Sequence, residues 1–86
     1  MSNKIFHIND LEKILEKKRQ SNKKIALCHG VFDLLHFGHI HHFRESKRKS
    51  DILVVSITPD KFVNKGPGRP AFNEKIRAMS LSELNI

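Results

Sequence analysis

The stretch Lys24-Ile25-Ala26-Leu27-Cys28-His29-Gly30-Val31-Phe32-Asp33-Leu34-Leu35-His36-Phe37-Gly38-His39 decides the fold. Residues Lys24 to Cys28 read as a buried strand, and Gly30 follows as a turn. From about Gly38 to Lys49 the spacing becomes helical: Ile40, Phe43 and the Ser46/Lys47 turn recur every three to four residues, with no proline. Asp51 to Ile57 is β-branched and apolar on both faces, as a parallel sheet covered by helices requires, and Pro59 ends it. Lys65 to Pro70 is a Gly/Pro loop, and Phe72 to Leu84 returns to helical spacing with Ile76, Met79 and Leu84 apolar. Strand, helix, strand, loop, helix is the order of an α/β fold with a right-handed crossover.

Upstream, Ile5 and Phe6 read as a short extended piece before a helix. Asn9 with Glu12 three residues on forms a capping-box-like pattern, Leu11, Ile14 and Leu15 make one apolar stripe, and Ser21-Asn22 ends the helix. Residues 1–24 are therefore expected to be an N-terminal extension with one amphipathic helix, and residues 25–86 to open the α/β domain.

Eighty-six residues allow one small domain with a thin core. Sixteen basic against nine acidic side chains give a net charge of +7, which points to anionic partners. More than half of that surplus falls in residues 1–24, where Lys17-Lys18-Arg19 fits the solvated face of a helix. Nucleic acid fits less well than phosphorylated metabolites: no basic stripe is interleaved with aromatics, and Trp and Tyr are absent. The single cysteine, Cys28, excludes an intramolecular disulfide and a Cys-rich zinc site. The longest apolar runs are four residues, so no membrane span is expected. Met1-Ser2-Asn3-Lys4 leads into no signal-peptide stretch, and a reducing cytoplasm is the default compartment.

The chemistry concentrates between Gly30 and His39. Ligands of open α/β sheets bind outside the carboxyl ends of the strands, and a helix start there offers backbone N–H groups and partial positive charge to phosphate. Gly38 lets backbone approach a phosphate closely. His36 and His39, three apart, can face one spot and donate to phosphoryl oxygens as charge builds in a transition state. The bland alternative is a tight turn with two polar side chains. A zinc reading of His36, His39, His41 and His42 is weaker, since no carboxylate or thiol sits at an obvious third-ligand spacing and the adjacent His41 and His42 point to different faces, and no metal ligands are assigned. Phe6, Phe37, Phe43, Phe62 and Phe72 read as packing residues, and Cys28 as a small buried one.

The Gly-x-Phe-Asp segment followed by His-x-Gly-His closely resembles the first signature of the cytidylyltransferase-like nucleotidyltransferases. The resemblance continues through Asp51 to Asp60, through Lys65-Gly66-Pro67-Gly68-Arg69-Pro70, and on to Glu74 and Arg77. It is strongest to the sugar-phosphate branch, which holds glycerol-3-phosphate cytidylyltransferase and the nucleotidyltransferase domain of the bifunctional heptose-phosphate enzyme. It implies a Rossmann-like parallel sheet with flanking helices. It also implies transfer of CMP or AMP from CTP or ATP to a phosphorylated sugar or polyol, with release of pyrophosphate and no covalent enzyme intermediate.

By the same resemblance, His36, His39 and Lys65 act on the triphosphate, and Gly30, Val31, Phe32, Asp33 and Gly38 line the nucleotide site. Lys47 is either a second phosphate contact or a solvated helix lysine. Arg77 lies either near the nucleotide or in a surface pair with Asn73 or Glu74. Arg69 binds acceptor phosphate or braces the loop, and Asp60 contacts acceptor hydroxyls. Mg²⁺ is implied through the nucleotide, and relatives form homodimers. Relatives also carry a late motif near Arg-Thr/Ser-x-Gly-Ile-Ser-Thr-Thr that this sequence does not reach. A sheet truncated at the C-terminus is therefore expected, with a nucleotide-binding module lacking turnover as the alternative reading.

Overall fold

The computed structural model describes residues 4–63, 66–68 and 70–86. Helix α1 (Ile8–Gln20) leads to strand β1 (Ile25–Gly30), helix α2 (Phe37–Arg48), strand β2 (Ile52–Ile57), a single 3₁₀ turn (Asp60–Phe62) and helix α3 (Glu74–Ser82). The expected α/β order is present, and β1 and β2 pair in parallel with Ile25 opposite Ile52 and Gly30 opposite Ile57. The N–H of Thr58 donates to the Gly30 carbonyl at 3.0 Å, so pairing reaches the mouth of the sheet.

Local chemistry sets the element ends. The α1 helix begins two residues before the Asn9 cap expected from sequence: the His7 ring accepts from the Asn9 N–H at 3.3 Å, leaving Asp10 in the first turn where a negative charge suits the helix dipole. Its C-terminus closes as a Schellman motif. Asn22 takes the left-handed conformation (φ 62°), its N–H donates to the Arg19 carbonyl at 2.9 Å, and Lys23 N–H donates to the Lys18 carbonyl at 3.1 Å. Asp51 ties the start of β1 to β2, since its carboxylate accepts from Lys24 N–H at 2.7 Å and its own N–H donates to the Lys24 carbonyl. Asn73 caps α3 through Ile76 N–H at 2.9 Å, which starts that helix two residues after the expected Phe72.

Helix α2 covers one face of the sheet. Among the described residues, Cys28 and Phe43 are the only buried apolar side chains, Phe43 at 1% exposure, and the Cys28 thiol donates to Ser46 Oγ of α2 at 3.6 Å. Side chains alternate along a strand, so Leu27 and His29 lie on the opposite face, and Leu27 is 67% exposed there. Of the phenylalanines read as core or packing residues, Phe43 lies in the core, whereas Phe6, Phe37, Phe62 and Phe72 are exposed. Among the described residues, the two-stranded sheet and its helices leave these rings uncovered. No helix among the described residues is long and apolar enough to cross a membrane.

With so few buried apolar groups, Phe43 carries a disproportionate part of the packing. Phe43→Ala is expected to cost about 3–5 kcal/mol, read as a lower urea midpoint. A midpoint equal to wild type would contradict this account of the core.

Candidate functional site

Helix α2 begins at the carboxyl end of β1, and the two signature histidines build its first turn. His36 is the N-cap residue, in extended conformation, and its Nδ1 accepts from Gly38 N–H at 3.0 Å. In return His36 N–H donates to His39 Nδ1 at 3.3 Å, a reciprocal cap made by two imidazoles. A ring nitrogen that accepts carries no proton, so the ring proton of each sits on Nε2. The rings lie side by side, with centroids 4.0 Å apart and planes tilted by 31°. The pair thus sets two imidazoles beside a helix N-terminus, where the dipole favours an anion.

The glycines make room for this arrangement. A Cβ on Gly38 would sit 2.8 Å from Cε1 of His36, and one on Gly30 would sit 2.8 Å from Cζ of Phe32. Their immediate role is therefore to admit the site's own rings. Phe32 itself holds a left-handed backbone (φ 52°), a conformation that costs a bulky residue about 1–3 kcal/mol and persists only where its surroundings enforce it. Its ring meets His39 edge-on at 5.4 Å and Phe43 at 5.1 Å, so one strained residue joins the cradle to the core.

Beneath the turn lies a polar junction. Arg77 is 1% exposed. Its NH1 donates to the Val31 carbonyl at 2.9 Å, its Nε to the Phe72 carbonyl at 3.1 Å, and its NH2 to Asp60 Oδ1 at 2.6 Å. The buried Asp33 carboxylate accepts from Ala71 N–H at 2.7 Å and Phe72 N–H at 2.9 Å. Glu74 Oε1 accepts from Asp60 N–H at 3.1 Å.

The structure therefore brings together Gly30, Val31, Phe32, Asp33, His36, Gly38 and His39, with Asp60 and Arg77 underneath. Arg77 is in the interior, so a surface pair with Asn73 or Glu74 is corrected. Lys47 is not brought to the cluster: it lies in the last turn of α2, about 15 Å along the axis from Phe37, and donates to the Asp51 carbonyl at 3.1 Å. Lys65 and Arg69 lie outside the described residues. Sequence reasoning missed the His29–Ser56 pair, Nδ1 to Oγ at 2.7 Å, at the same end of the sheet. The signal available was that His29 immediately precedes Gly30. Among the described residues, no three His, Cys, Asp or Glu side chains gather as a metal ion would need.

Comparison with known proteins gives the chain its family. The sequence profile of the Cytidylyltransferase-like family matches residues 27–85. The chain is 40% identical over 83 residues to a bifunctional protein HldE of Desulfatibacillum aliphaticivorans, covering 94% of this chain and 17% of that protein. It is 42% identical over 77 residues to the Helicobacter pylori (strain G27) protein of that name, and 40% identical over 77 residues to that of Campylobacter jejuni subsp. jejuni serotype O:2. Each match covers 87% of this chain and 17% of the relative. The chain thus spans about a sixth of the length of these curated relatives. No solved structure is matched significantly.

The reciprocal cap gives a direct test. Gly38→Ala should swing the His36 ring away, break its bond to the helix start and cost about 1 kcal/mol. In histidine ¹⁵N spectra the Nδ1 signal of His36 should lose its hydrogen-bonded position, whereas an unchanged signal would contradict the close approach at Gly38.

Proposed function

Because this chain belongs to the cytidylyltransferase-like family, we propose that it supplies the triphosphate cradle of a nucleotidyltransferase. A phosphate oxygen of a phosphorylated sugar or polyol attacks the α-phosphorus of CTP or ATP. A new P–O bond forms, the bond to the β-phosphate bridge breaks, and pyrophosphate leaves, with Mg²⁺ arriving on the triphosphate as part of the substrate. The observation that carries this reading is the pair of imidazoles locked into the first turn of α2 at the carboxyl end of β1.

In this reading the rings of His36 and His39 donate through Nε2 to phosphate oxygens and stabilise the charge that develops at the α-phosphorus and the leaving pyrophosphate. The donors are set before substrate arrives, so little reorganisation is needed during reaction. The backbone of Gly30, Val31, Phe32 and Gly38 forms the floor, and Asp33 holds it by binding the Ala71 and Phe72 amides. Lys65 on the triphosphate and Arg69 on the acceptor phosphate are assigned from the family resemblance. The sugar or polyol phosphate as acceptor is likewise assigned from the family resemblance.

The test is pyrophosphate release by the intact gene product, supplied with CTP or ATP and a panel of sugar and polyol phosphates. His36→Ala and His39→Ala should each lower turnover about 100-fold or more. Turnover unaffected by either change would refute the assignment. Nucleotide binding without pyrophosphate release by wild type would leave the site as a binding module.

A further inference from the structure

We propose that Arg77 is a positioning residue for the cradle: through the Val31 carbonyl it holds the left-handed turn at Phe32, and the edge of the Phe32 ring holds His39 in place. This rests on the reading of the histidine pair as the reacting site, and it concerns a side chain sealed beneath that site.

Phe32 has no local reason to adopt φ 52°. Its two neighbours are both fixed to the segment that begins α3. On one side, the Val31 carbonyl accepts from Arg77 NH1. On the other, the Asp33 carboxylate accepts from the amides of Ala71 and Phe72. Phe72 is gripped twice, its N–H by Asp33 and its carbonyl by Arg77 Nε, while Arg77 NH2 takes its counter-charge from Asp60 just past β2. One guanidinium therefore joins the exit of β1, the exit of β2 and the start of α3. If its hold on Val31 is released, Phe32 can return to an ordinary negative φ, and its ring then leaves both Gly30 and His39. A lysine ammonium keeps the charge but lacks the planar fork that reaches three oxygens at once.

The experiment places Arg77→Lys in the intact gene product. Turnover is expected to fall about 30-fold or more, because a shift near 1 Å in a reacting group has effects of that order, while KM for the nucleotide changes less than about threefold. Histidine ¹⁵N signals of His39 should move, and those of His41 and His42 should stay. In a Phe32→Leu background, Arg77→Lys should add less than about threefold, since the ring through which it acts is gone.

Independent, multiplying effects of the two changes, or His39 signals that stay in place, would overturn the proposal. Should Arg77→Lys fail to fold, Asp60→Asn removes only the counter-charge, from a carboxylate that is 38% exposed. It is expected to show the same split between turnover and KM, and the same movement of His39. Wild type that releases no pyrophosphate would refute the proposed function, whereas the histidine signals would still decide the role of Arg77.

Discussion

A guanidinium buried to the last few per cent of its surface sits where three parts of this chain converge, and it is neutralised there by one carboxylate. Removing a charge from water costs several kcal/mol unless partners replace the lost hydration. Asp60 at 2.6 Å, the Val31 carbonyl and the Phe72 carbonyl replace it for Arg77. Where the described residues bury only two apolar side chains, such a junction does what a larger core would otherwise do. It fixes the ends of β1 and β2 relative to the start of α3. Its geometry is specific, because a misplaced oxygen would leave buried charge unmatched.

The cradle sits above this junction. Asp33 and Arg77 hold the backbone on either side of Phe32, Phe32 bears on His39, and His39 and His36 cap each other at the start of α2. The reciprocal cap sets which nitrogen of each ring carries the proton as well as where the ring sits. Glycine at 30 and 38 leaves room for the rings of Phe32 and His36, which a side chain there would push aside. The placing of the two rings is thus a product of the fold, and in the proposed function such preset groups are the ones that contribute most to stabilising a transition state.

Much of this was legible in the residues, and the rest was hidden for definable reasons. The parallel strand pair, the crossover helix and the α3 region followed from apolar runs and helical spacing, signals that act within a few residues. The histidines at the helix start followed from the placement of His-x-Gly-His after a strand. Arg77 looked like a helix surface residue or a ligand contact because its three acceptors lie 5, 17 and 46 positions away in sequence. No local pattern reports such a convergence. The strain at Phe32 was equally silent, since a phenylalanine at positive φ contradicts local preference and is imposed by tertiary contacts. Apolar type alone could not say which phenylalanine enters the core: among the described residues Phe43 does, and Phe6, Phe37, Phe62 and Phe72 stay exposed.

The claim at the centre of this account is that the imidazoles of His36 and His39 form a preset phosphate-binding pair. The most direct measurement is a titration of histidine-labelled protein with Mg–CTP, Mg–ATP, inorganic tripolyphosphate and the corresponding nucleoside, following the Nε2–H resonances. The account predicts that the three triphosphate-bearing ligands shift His36 and His39 together and leave His41 and His42 in place, while the bare nucleoside moves neither. Shifts confined to His41 and His42, or a nucleoside as effective as its triphosphate, would contradict it.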